Sequence, residues 1–269
     1  MRRRRIVFHF YVPQNWRDIR VIRLHLNCLA YYSFIFDEAT FIISVDDESN
    51  EALIAEFEHE ILNCGFINVR FKVMNNYYSL YEATTLYNEI LNKLNDLYGL
   101  TFFGHSKGIG NEIFGQANFD QLFEWICGLY FLTLDEYNVA QGNLLGYRGI
   151  SYGPYKYLNE DVTNNKYGWM YSGTFFWLNA RKLDEYLKQK RIKIEPPFDR
   201  FFSEQLLGNI IPYEEDDVYA KYAESRNGLS LKGRRDFYGH VTEYTPELLN
   251  IEEYKDFISF KEKMTKDLL

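Results

Sequence analysis

The first hundred residues alternate between short runs rich in β-branched and aromatic side chains and longer runs with an apolar residue every three or four positions. That alternation admits few architectures. It marks βαβ units, in which helices join parallel strands and cover both faces of one sheet. Residues 6–12, 40–45, 68–74 and 100–103 read as the four strands. A helix opened by Asp18 places Ile19, Ile22, Leu26 and Leu29 on one stripe, and the next carries Leu53, Ile54, Phe57 and Ile61 before Gly65 supplies a left-handed cap. Ser79 and Glu82 have capping-box spacing, so the Glu82 carboxylate is expected to turn back onto the helix start. Ala83, Tyr87, Ile90, Leu94 and Leu97 mark the inner face of that helix, which ends at Gly99.

Beyond the helix expected over 119–132 the pattern loosens into Gly-, Asn- and Tyr-rich stretches with a strand over 173–178, a helix over 181–190 and a short helix over 201–207. With 269 residues the chain is expected to form a single α/β domain over 1–245, a mostly parallel Rossmann-like sheet flanked by helices. Residues 1–135 form its nucleotide-binding half and 136–245 its acceptor-side half, followed by a polar helical extension over 246–269. The net charge of −8 excludes general nucleic-acid binding, which needs a basic face to neutralise phosphates. The arginines at 2–5 are the one basic run, suited to weak peripheral membrane contact or to a solvated terminus. The apolar stretch behind them is interrupted by His9 and stopped at Pro13, too short for a secretory or spanning segment, so a cytoplasmic protein is expected. Cys28, Cys64 and Cys127 lack metal-site spacing and read as small core residues.

In an open parallel sheet, ligands bind beyond the carboxyl ends of the strands. The first strand runs into Tyr11-Val12-Pro13-Gln14-Asn15 and the second into Val45-Asp46-Asp47-Glu48-Ser49-Asn50. This pair of turns resembles the opening of family-two inverting glycosyltransferases of the GT-A type, with Glu48 where that family has glycine. The resemblance implies that Tyr11 and Val12 border the nucleotide sugar and that Asp46 or Asp47 accepts hydrogen bonds from its base or ribose. Turn and helix-capping chemistry is the plainer account of the same Asp-Asp-x-Ser sequence.

The fourth strand leads into Gly104-His105-Ser106-Lys107-Gly108-Ile109-Gly110, where GT-A enzymes carry a metal-holding Asp-x-Asp. His105 and Lys107 stand in its place and could offset the charge of a diphosphate without a metal. No metal ligand is assigned; Mn2+ or Mg2+ is the cofactor for which such an enzyme is tested. A His-Ser-Lys sequence of this kind also resembles glycosyltransferase-like proteins of bacterial surface polysaccharide biosynthesis. Residue order rules out a P-loop, since Ser106 precedes Lys107, and no third glycine completes a dinucleotide fingerprint.

Two later segments extend the resemblance. Trp169 through Trp177 looks like the glycine-containing strand under the donor sugar, with Gly173 and Thr174 beside the nucleotide sugar and Trp169 stacking on the acceptor; Phe175, Phe176 and Trp177 read as core. Glu204 occupies the position of the family's catalytic carboxylate, though Gln205 departs from its Glu-Asp pattern; a helix-start glutamate is the bland alternative. His240 is placed where a C-terminal residue closes over the diphosphate, or else is a structural histidine.

The expected enzyme is thus a hexosyltransferase-like glycosyltransferase that moves a sugar from a nucleoside-diphosphate sugar to a hydroxyl of a glycan or lipid-linked acceptor, with inversion. The absent Asp-x-Asp keeps open a non-catalytic GT-A-shaped protein that binds a sugar nucleotide or glycan. A nucleotidyltransferase would need clustered carboxylates at the fourth strand, and the sequence has none there.

Overall fold

Among the described residues, eight strands form one sheet in the order β3-β2-β1-β4-β7-β5-β6, with β8 added on β5. The structure is a computed structural model and describes residues 3–76, 81–97, 99–106, 108–115, 118–135, 137–146, 149–158, 169–171, 174–197, 202–212, 218–223 and 251–268. The strands are β1 Arg4–Tyr11, β2 Glu38–Val45, β3 Val69–Asn75, β4 Leu100–His105, β5 Ser151–Leu158, β6 Trp169–Tyr171, β7 Phe176–Asn179 and β8 Val218–Ala223. Parallel pairing joins β3, β2, β1 and β4, and β7 then runs antiparallel to β4. The chain moves outward from β1 through β2 to β3 and returns to place β4 on the other side of β1. The carboxyl ends of β1 and β4 therefore lie at a topological switch point, the place where open α/β sheets generally bind their ligands. The α/β architecture and parallel half expected from the sequence are present.

Side-chain alternation on these strands feeds two cores. Ile6, Phe8, Phe10, Phe41, Ile43 and Phe102 face one layer, while Val7, Ile42 and Phe103 face the other. The first layer holds α1 Arg20–Tyr32, α2 Glu51–Asn63 and α5 Phe119–Tyr130; the second holds α3 Tyr81–Glu89. The aromatic excess of the sequence is spent largely in the first layer, where Phe57 meets both Phe10 and Trp16 edge-on at 5.0 Å. Phe175, Phe176 and Trp177 are core, as expected. The three cysteines are free and buried.

Several boundaries differ from the sequence reading for physical reasons. Asp18 does not open α1: residues Trp16–Asp18 form a 3-10 turn, and Glu112 instead accepts from the Arg20 and Val21 amides. Glu112 lies on α4, Ile109–Ile113, so a distant carboxylate does the work of a local cap. The helix expected as far as Leu97 breaks after α3, where Ile90 leaves helical geometry and Leu91–Asp96 tightens into a 3-10 stretch. Gly65 and Gly99 both take positive φ, at 85° and 99°. At Gly99 a Cβ would lie 2.0 Å from the Arg3 carbonyl oxygen, so that tight crossing into β4 admits only glycine.

The second half of the chain adds α6 Tyr137–Gln141, α7 Ala180–Lys190 and α8 Phe202–Ile210, followed by α9 Ile251–Thr265. The helix expected at the end is thus present. It is not wholly polar: Phe257, Phe260 and Met264 enter the first core, and Lys261 pairs with the buried Glu124 of α5 at 2.8 Å. At the other end Arg4 and Arg5 belong to β1, where they pair with Asp37 and Glu38 rather than forming a loose basic arm. No helix among the described residues is long and apolar enough to cross a membrane.

Candidate functional site

The loops leaving β1, β2, β3 and β4 converge, and Tyr11 is the residue on which they meet. As the last residue of β1 it sits opposite Ser44 of β2, and the ladder is prolonged by the Val12 amide donating to the Ser44 carbonyl at 2.8 Å. Its own amide donates to the Ser106 hydroxyl at 3.0 Å, and its phenol donates to Asp46 Oδ2 at 2.9 Å. One residue thus ties the β4 loop to the β2 loop. Asp46 takes a second hydrogen bond, on Oδ1, from Asn76 Nδ2 at 3.1 Å. Asn76 follows β3 directly, its amide donating to the Val45 carbonyl, and its buried Oδ1 has no partner.

Asp46 and Asp47, the two alternatives for one task, are divided by their partners. Asp46 turns toward Tyr11 and Asn76, whereas Asp47 accepts from the Ser49 amide and hydroxyl at 2.9 and 2.6 Å. Those bonds hold the exposed Asp47 carboxyl below its usual range. Asn50 then caps α2 by accepting from the Leu53 amide. Turn chemistry therefore accounts for Asp47, and Asp46 is the aspartate joined to the ends of β1 and β3. Beside this turn a groove of about 350 Å³ is lined by Gln14, Asn15 and Asp18 from the β1 loop and by Asn50 and Glu56 from α2.

Under the β4 loop lies a buried polar cluster. His9 and His105 are register partners on adjacent parallel strands, so their side chains emerge on the same face. α3 crosses that face: Thr85 Oγ1 is 2.8 Å from His9 Nδ1, and Glu82 Oε2 is 3.6 Å from His105 Nδ1. Glu82 Oε1 accepts from the Ser203 hydroxyl of α8 at 3.1 Å. Glu82 thus reaches two other elements, while Ser79, its expected capping-box partner, lies outside the described residues. Burial drives the pKa of His9 down to about 4, the nearby Glu82 opposing the shift and His105 adding to it, so His9 stands neutral.

Thr174 is also placed within the buried interior, with φ at 56° and an unpartnered hydroxyl. A β-branched residue in the left-handed region carries strain that the surrounding packing must hold. Glu204 lies on α8 between the buried Ser203 and Gln205, but its side chain falls outside the described residues, as does that of Trp169 on β6. Lys107, Gly173 and His240 lie outside the described residues altogether.

Sequence reasoning missed His9, Asn76, Glu82, Thr85 and Ser203. His9 had a signal, a polar residue amid an apolar strand, and Asn76 was reachable by applying the strand-end rule to β3 as well. Among the described residues no group of three His, Cys, Asp or Glu side chains is arranged to hold a metal. No family model matches this chain, and no curated protein matches it.

Proposed function

We propose that this chain is a sugar-nucleotide-dependent glycosyltransferase of the GT-A type, transferring a sugar with inversion to a hydroxyl of a glycan or lipid-linked acceptor in bacterial surface polysaccharide biosynthesis. The observation that carries the reading is Tyr11, which binds Asp46 through its phenol and Ser106 through its amide. A nucleoside held by Asp46 would thereby have its diphosphate next to the loop that begins at His105. The antiparallel β7 beside β4, at the edge of a parallel β3-β2-β1-β4 half, agrees with a GT-A sheet.

In this reading Asp46, an acceptor-only carboxylate when ionised, receives base or ribose donors. His105 and Lys107 offset the charge that develops on the departing diphosphate. Glu204 takes the proton of the attacking hydroxyl, a task typically worth about a hundredfold to ten-thousandfold in rate. No metal ion is assigned a role in this reading, and manganese is the variable in its test.

Thermal unfolding with UDP, GDP, CDP and dTDP, each with and without manganese, tests the proposal. A cognate diphosphate at 100 times its Kd adds about 2.7 kcal/mol of stability, and Asp46→Asn should remove most of that gain. A shift that requires manganese would overturn the metal-free account, and silence for all four would overturn the nucleotide site. Glu204→Gln should keep the binding shift while abolishing transfer; a chain that binds but never transfers is a sugar-nucleotide-binding protein.

A further inference from the structure

Glu82 presents a physical problem that the proposed reaction does not solve. It is 9% exposed, on the first turn of α3, and a carboxylate taken out of water must be repaid by partners. Its partners come from two other elements, His105 at the end of β4 and Ser203 on α8. Among the described residues, Glu82 lies 3.6 Å from His105 Nδ1 and His9 lies beside it on β1, while Phe175 approaches the ring at 6.4 Å. With His9 neutral through burial, Glu82 is the one described carboxylate positioned to fix the charge and rotation of the His105 ring.

We propose that Glu82 is a positioning residue, which holds His105 in its cationic, diphosphate-facing state and locks the β4 loop to α8, the helix that carries Glu204. The proposal rests on the transferase reading of His105. It adds that the phosphate side and the base side of that site share a buried carboxylate and shift together. Ser203 is part of the device, because its hydroxyl occupies the Glu82 oxygen that does not face His105. A helix-capping role, which the Ser79 spacing suggested, would place no constraint on His105 at all.

The test uses the full chain with histidine-selective NMR titration, wild type against Glu82→Gln and Ser203→Ala, and exposed His59 on α2 as internal reference. Glu82→Gln is expected to move the His105 titration to lower pH with His59 unmoved. It should also weaken the cognate nucleoside diphosphate about tenfold, more at pH 8 than at pH 6, as a cation-dependent contact requires. Glu82→Asp should recover part of both effects, and Ser203→Ala should give a smaller shift in the same direction. A folded Glu82→Gln in which His105 titrates as in the wild type overturns the proposal, as does a moved titration with unchanged diphosphate affinity at both pH values. If the wild type binds none of the four diphosphates, the transferase reading fails, and the ligand-facing half of this proposal fails with it. The titration alone then decides whether Glu82 controls His105.

Discussion

Tyr11 makes two hydrogen bonds that belong to different loops, and they can be separated by substitution. Tyr11→Phe keeps the backbone bond to Ser106 and deletes the phenol bond to Asp46. The lost bond is partly exposed, so unfolding free energy should change by no more than about 0.5 kcal/mol. Diphosphate affinity should fall about five- to tenfold, because Asp46 loses a partner that fixes its orientation; calorimetric titration reads this directly. Thr174 poses the opposite trade. Its buried hydroxyl has no partner, which costs about 1–3 kcal/mol relative to an apolar isostere. Thr174→Val should therefore stabilise the fold by about 1 kcal/mol in urea titration, and if the hydroxyl is kept for a ligand the same variant binds diphosphate more weakly. Asp47 and Glu82 show why roles at this scale were hard to assign in advance. Both have spacings that suit local capping; Ser49 does engage Asp47 locally, whereas Glu82 reaches His105 and Ser203 on other elements.

Among the elements, α9 shows how far a sequence pattern can understate burial. Its mean composition is polar, but Phe257, Phe260 and Met264 fall on one face and reach the first core. Phe260 stacks among Tyr31, Tyr32 and Phe131, with ring centroids 5.3 to 5.9 Å apart. Phe260→Ala should cost about 3–4 kcal/mol, whereas Ile251→Ala, at an exposed position on the first turn of the same helix, should be nearly neutral. Chemical denaturation of the two variants compares them, and equal, small effects would mean that α9 is a solvated tail. The start of α1 teaches the same lesson from the other side. Asp18 was well spaced to cap it, but Glu112 on α4 supplies the acceptors, so α4 helps to anchor the loop that begins at His105 to the helix behind β1.

For the molecule as a whole, pH dependence follows from His9. Its folded pKa of about 4 lies below the ordinary 6.5, so the unfolded chain binds more protons between those values. The contribution is complete above about pH 6.5 and is lost as pH falls through 4. Its span is about 3 kcal/mol, from 1.36 kcal/mol per pH unit. Urea midpoints at pH 7 and 4.5 should show the loss, and His9→Gln should flatten it. The sequence by itself determined the parallel α/β half, its strand order of appearance, the glycine turns at 65 and 99 and the candidate loops after β1, β2 and β4. These follow from periodicity and backbone sterics, which are local properties. Only the tertiary structure decided which side chains meet: that His9 lies beside His105, that Glu82 faces inward, that Asp46 and not Asp47 joins Tyr11. Those pairings depend on strand register and on which helix crosses which face, relations between residues 23 (105 − 82) to 121 positions apart that no short stretch of sequence encodes.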